Sequence, residues 1–149
     1  MRAKILSLVV VIIGCMTSCA NKSVFTSYSS LKGYNYVLID ESKDVGGGAS
    51  LMNFKVQLQQ AIKETRMEEV GLEDVKGFRK EQLEQLVVLQ LSGSQTELNS
   101  VATINICDYK TKEVLGSCNG IFGAAFSTYG DMNGAIKKAC RAFKRMTLK

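Results

Sequence analysis

Apolar residues recur along this chain with two different spacings, and each change of spacing marks an expected element. From Tyr34 to Asp40 the sequence YNYVLID is aromatic and β-branched, the composition of a strand. A polar, glycine-containing stretch follows. Ser50 then reads as the cap of a helix whose apolar positions Leu51, Phe54, Leu58, Ala61 and Ile62 fall at helical spacing. The segment from Met67 to Gln85 is charged, and it predicts a short strand near Val70 and Leu72 and a short helix around Lys80 to Gln85. LVVLQL, Leu86 to Leu91, is the clearest strand; VATINICDY and VLGSCNGIFGAAF complete an antiparallel meander. A last helix opens at Asp131 and carries Met132, Ala135, Ile136, Ala139, Cys140 and Phe143 on one face. The order β-α-(β)-β-β-β-α predicts an α+β fold, one antiparallel or mixed sheet with two amphipathic helices packed on one face.

Ahead of these elements, Arg2 and Lys4 precede an uncharged apolar run, the order of a secretory signal peptide. A membrane-spanning helix is the competing reading. The uncharged run from Ile5 to Ala20 reaches only about 24 Å against a hydrocarbon core of ~30 Å, and it ends in Thr17 and Ser18.

The run closes on cysteine twice, in IIGC (Ile12 to Cys15) and in MTSC (Met16 to Cys19). Both resemble the lipobox of bacterial lipoprotein precursors, in which the cysteine thiol takes a diacylglyceryl group and the chain is cut just before it. The resemblance implies a palmitate-type lipid anchor. Cys19 leaves a full apolar region of ten residues, Ile5 to Gly14, and is the favoured site; Cys15 is the alternative. Two or three acyl chains, at ~0.8 kcal/mol per buried methylene, hold a protein to a membrane essentially permanently. Residues 1–18 are then the signal peptide, 19–33 a lipid-anchored tether and 34–149 a single α/β domain. The Ser/Thr-rich tether, Ala20 to Gly33, predicts little structure, with an extended reach of at most ~46 Å, although Val24, Phe25, Tyr28 and Leu31 would let part of it dock onto the domain.

Composition narrows the chemistry. Removing Arg2 and Lys4 with the leader leaves seventeen cations against fourteen acids, or +3, which does not argue for a nucleic-acid partner. The chain has no histidine, so it lacks the commonest general base and the commonest metal ligand. Three cysteines follow the leader. A hairpin turn at Lys110 and Thr111 sets Cys107 opposite Val114 or Leu115, about 10 Å from Cys118, too far for a disulfide. A turn moved to Lys112 and Glu113 would allow the bridge, so the pairing stays open. Cys140 reads as core.

Candidate chemistry is sparse. DVGGGAS lies between a strand and a helix, where amides can cradle phosphate, but it lacks the Gly-Lys-Ser/Thr ending of a P-loop. Ser29 and Lys32 form S-x-x-K without the Ser-Asp-Asn or Lys-Thr-Gly that accompany it in penicillin-recognising enzymes. Glu68, Glu69, Glu73 and Asp74 cluster without the spacing of a calcium loop. Lys137, Lys138, Arg141, Lys144 and Arg145 form a basic face on the last helix, suited to anionic headgroups or an acidic envelope surface.

The lipobox, GYNYVLID, the amphipathic helix, LVVLQL and the INICDYKTKEVLGSC hairpin ending in AIKKACRAF together resemble small envelope α/β domains of the curli-secretion lipoprotein and penicillin-binding-protein-activator type. That resemblance is one of element order and implies no site residues. The sequence therefore predicts a lipid-anchored envelope protein, facing the periplasm from the outer membrane, that binds or supports another envelope protein or cell-wall component without catalysis, cofactor or metal. The alternatives are a small hydrolase using carboxylates and an oligomerising accessory subunit of a secretion or cell-wall complex.

Overall fold

Three consecutive strands of ten residues form the centre of the sheet: β4 (Leu86–Gln95), β5 (Asn99–Asp108) and β6 (Val114–Gly123), each antiparallel to the next. The computed structural model describes residues 23–27, 31–40, 48–96, 99–123 and 128–148. The leader with Cys15 and Cys19, Ser29 and residues 41–47 of the glycine-containing stretch lie outside the described residues.

The meander is flanked by β2 (Tyr36–Asp40), parallel to β4, and β1 (Ser23–Ser27), antiparallel to β6. A two-residue β3 (Glu68–Glu69) pairs with Tyr36 and Val37, giving the mixed order β1-β6-β5-β4-β2-β3. The expected α+β fold is thus observed. The parallel β2–β4 pair needs a crossover, supplied by helix α1 (Gly48–Lys63).

Helices α1 and α4 (Thr128–Thr147) share one face of the sheet, as their apolar stripes predict. Between them and the sheet lies the main core, where Phe54, Leu58, Ile62, Ile136 and Phe143 meet Val37, Val87, Leu89, Ile104 and Ile106. Each such side chain, fully buried, contributes roughly 2 kcal/mol. Residues of β6 facing α4 alternate Gly116, Cys118, Gly120, and the glycines let the helix approach closely. A Cβ on Gly120 would stand 1.9 Å from the Ala135 carbonyl oxygen and 2.5 Å from the Ala139 nitrogen.

The connection after β3 folds onto the opposite face. Helices α2 (Leu72–Lys76) and α3 (Lys80–Leu83) enclose a smaller core of Leu38, Val70, Val75 and Leu86, with the Tyr36 and Phe78 rings 4.9 Å apart. Of the short strand expected near Val70 and Leu72, β3 forms just before Val70, but at Leu72 Gly71 opens a helix instead. The Asp74 carboxylate accepts the Gly71 N–H at 2.8 Å, and the single turn buries Val75 while leaving Leu72 exposed. Within the tether, docking through Val24, Phe25 and Leu31 prevails over an unstructured link: Ser23–Ser27 form β1 and Leu31 is buried in the main core.

The hairpin falls where the sequence places it. Cys107 lies opposite Val114 and Cys118 opposite Ile104, so the two cysteines are not bridged; Cys107, Cys118 and Cys140 are buried and form no disulfide. Burial pushes Cys118 and Cys140 up to about 12, the mark of inert structural thiols.

Candidate interaction surfaces

Helix α4 turns its apolar stripe into the core and its cations outward, yet the five expected basic residues do not form one uniform patch. Lys137, Arg141 and Arg145 are exposed. Lys138 instead lies back on the sheet, donating to the Ile121 carbonyl at 3.1 Å with its ammonium 4.7 Å from the centre of the Phe122 ring. Burial, then the neighbouring Arg141 charge, lower its pKa. Lys144 is paired with Glu64, just past the end of α1. Lys137 and Arg141 line a shallow groove between α1 and α4 of about 260 Å³, beside Gln57 and Gln60.

The acidic cluster resolves into separate structural contacts. Glu69 accepts from Gln59 at 2.7 Å, tying β3 to α1; Glu73 pairs with Lys76; Asp74 caps α2. Among the described residues no three of His, Cys, Asp and Glu gather as a metal site. The best-connected carboxylate is one the sequence reading did not single out. Asp108, buried at the end of β5, accepts the Tyr34 hydroxyl at 2.7 Å and the backbone N–H groups of Lys110 at 2.8 Å and Thr111 at 2.7 Å. Burial pushes its carboxyl up, but the Thr111 amide, the Tyr34 hydroxyl and the Lys110 amide outweigh this and hold it below the usual carboxylate value. Tyr34 is pushed up to about 12, by burial first and then by the Asp108 bond and charge. The arrangement locks the hairpin turn to the segment entering β2; it is an anchor of structure.

Two sheet features were not read from the sequence. On one side β2 runs past β3, and a groove of about 1180 Å³ opens beside it, lined by Ile39, Asp40, Lys55, Gln59, Glu69 and Leu72. Its charges are mixed in sign. On the other side β1 is the terminal strand, with no strand on its outer edge among the described residues. Its sequence, SVFTS, carries no charge, proline or glycine, so a row of backbone donors and acceptors stands without the usual guards. The strand-favouring residues Val24, Phe25 and Thr26 were the available signal, masked by the serines around them.

No family model and no curated protein sequence matches the chain. Solved structures do. The PelC dodecamer of Paraburkholderia phytofirmans superimposes with a TM-score of 0.55 over 82% of this chain and 96% of that one, at 10% identity. The fold resembles that of PelC. A dodecamer of a single-substitution variant of the same PelC gives a TM-score of 0.51 over 87% of this chain and 99% of the variant, at 12% identity. At such identity the likeness to PelC is one of fold alone.

Proposed function

We propose that this protein is a lipid-anchored envelope component, held by Cys19 (or Cys15) in the outer membrane, facing the periplasm, and working without catalysis as a self-assembling binding module. The observation that carries the reading is β1, an open and uncharged edge strand in a fold that PelC uses as a dodecamer. With Cys19 as the first mature residue, only Ala20, Asn21 and Lys22 separate the anchor from β1, a reach of at most about 14 Å. The domain would then rest at the bilayer surface, which concentrates copies in a plane.

The basic face bears on the kind of partner. β1 begins opposite Gly120, beneath Ala135 and Ala139, whereas Arg145 lies about 9 to 15 Å further along α4. Arg145 thus lies toward the end away from the anchor, better placed for an acidic envelope protein or cell-wall surface than for the anchoring bilayer, while Arg141 lies within one turn of Ala139. A hydrolase's general acid would be a carboxyl raised toward neutrality; among the described residues Glu64, Glu84 and Asp108 are instead lowered, the first two by their Lys144 and Lys110 hydrogen bonds.

The test is the intact mass and native size of the full chain extracted from membranes in mild detergent, with Cys15→Ala and Cys19→Ala alongside. A lipid adduct lost only in Cys19→Ala, on particles several times the chain mass, is expected. A chain without lipid would overturn the anchor, and a lipidated monomer would overturn the assembly.

A further inference from the structure

We propose that β1 is the seam of a two-fold contact between copies of this chain, formed by antiparallel pairing of β1 with its own symmetry mate. The inference rests on the assembly reading above and adds the interface. Its basis is a near-palindrome: Ser23-Val24-Phe25-Thr26-Ser27 reads almost the same in both directions, Val and Thr being near-isosteric. An isologous interface requires residue i to meet residue j while j meets i. Antiparallel pairing centred on Phe25 does this at every position, setting Ser23 against Ser27, Val24 against Thr26 and Phe25 against Phe25. No like charges are brought together along the strand, because it has none.

The register of β1 on β6 continues this logic. Thr26 pairs with Ser117 and is exposed, so the strand reaches the seam already held in extended form by β6. Joining two such edges makes one continuous sheet of twelve strands from two six-stranded ones. The opposite edge cannot serve in the same way, being two residues long and both glutamate. A two-fold pair also fits within any even-numbered assembly. Because α4 packs on β1 as well as on β6, two cationic helices flank the seam, and pairing should strengthen as salt screens them.

Disulfide trapping tests the register. Directly opposed residues of antiparallel strands have Cα atoms about 4.5–5.5 Å apart, within disulfide range, whereas residues two positions off register are about 7–8 Å apart or more. Full-length Val24→Cys and Thr26→Cys chains carrying tags of different size are co-expressed and membranes are oxidised; the buried Cys107, Cys118 and Cys140 give little background. The mixed pair should link, and either variant alone should not. Thr26→Lys, at an exposed position, should abolish the seam while leaving the thermal melt unchanged. A native particle larger than one chain without the 24–26 link would overturn the seam and leave the assembly standing. A link between Thr26→Cys and Glu68→Cys in its place would show head-to-tail stacking and likewise overturn it. A monomer would overturn both.

Discussion

At one edge of the sheet β3 offers a partner two residues, both glutamate, with Glu69 engaged by Gln59; at the other β1 offers five residues and no charge. The supports behind the two edges differ as well. Behind β3 the chain is braced by side chains, through the Asp74 cap, the Glu69 contact and a small apolar cluster. Behind β1 the bracing is backbone against backbone, where Gly120 lets α4 settle on β6. An edge kept for pairing benefits from a rigid bed, and an edge to be kept solitary needs only shortness and charge.

The most severe way to break the β1 side is Gly120→Ala. The added methyl would meet helix backbone at 1.9 and 2.5 Å, which no rotamer change relieves, so α4 must lift from β6. We expect a loss of about 3 kcal/mol, read as a fall in midpoint in urea or heat, with loss of β1 pairing. The same change at Gly71, behind the other edge, meets only the Asp74 carboxylate at 3.3 Å, the end of a side chain that can shift. Gly71→Ala should move the midpoint several-fold less, and equal losses at the two sites would remove the contrast.

A change of intermediate size falls on the lock shared by both halves. Asp108→Ala strands the Tyr34 hydroxyl and two turn amides, and should cost about 2 kcal/mol. The pH profile of stability carries the same information. Asp108 has a lowered folded pKa, so its contribution is present above the unfolded value of about 3.9 and is lost as pH falls through the folded one. Tyr34 is raised to about 12, so its contribution is full below pH ~10 and is lost as pH rises through the folded value. Tyr34→Phe should abolish the alkaline loss. If it persists unchanged, the hydroxyl is not what titrates.

How much of this was legible follows from where each signal resides. The apolar stripes of α1 and α4 and the long strands β4 to β6 declare themselves because burial on one face imposes a period on the sequence. Cys107 opposite Val114 was readable because the turn chemistry lies within the hairpin. For β1 only docking through Val24 and Phe25 was readable, and not the strand, since five residues have no period to show and owe their strand to β6, roughly ninety residues away in the chain. The helix at Leu72–Lys76 was missed because Val70 and Leu72 look like alternation until the Asp74 cap on Gly71 is seen. The basic face was visible as a stripe, but the retreat of Lys138 onto Phe122 and of Lys144 onto Glu64 depends on neighbours in space.

The smallest effect on stability is the sharpest test of the two-edge contrast. Replacing Glu68 and Glu69 together by Thr removes both charges from β3 and supplies residues that favour strands. Glu68 is exposed and Glu69 gives up one contact with Gln59, so the melting midpoint should change by no more than about 0.5 kcal/mol equivalent. Association should change far more, because the groove beside β2 then lies next to a second unguarded edge. Sedimentation of the double variant should show open-ended growth in place of a defined particle, since two sticky edges on one sheet allow stacking without closure. Adding Thr26→Lys to that variant separates the edges: growth that stops at a pair joined through β3 would assign the other contact to β1, and growth that continues would mean that the copies associate through a surface other than β1, removing the contrast.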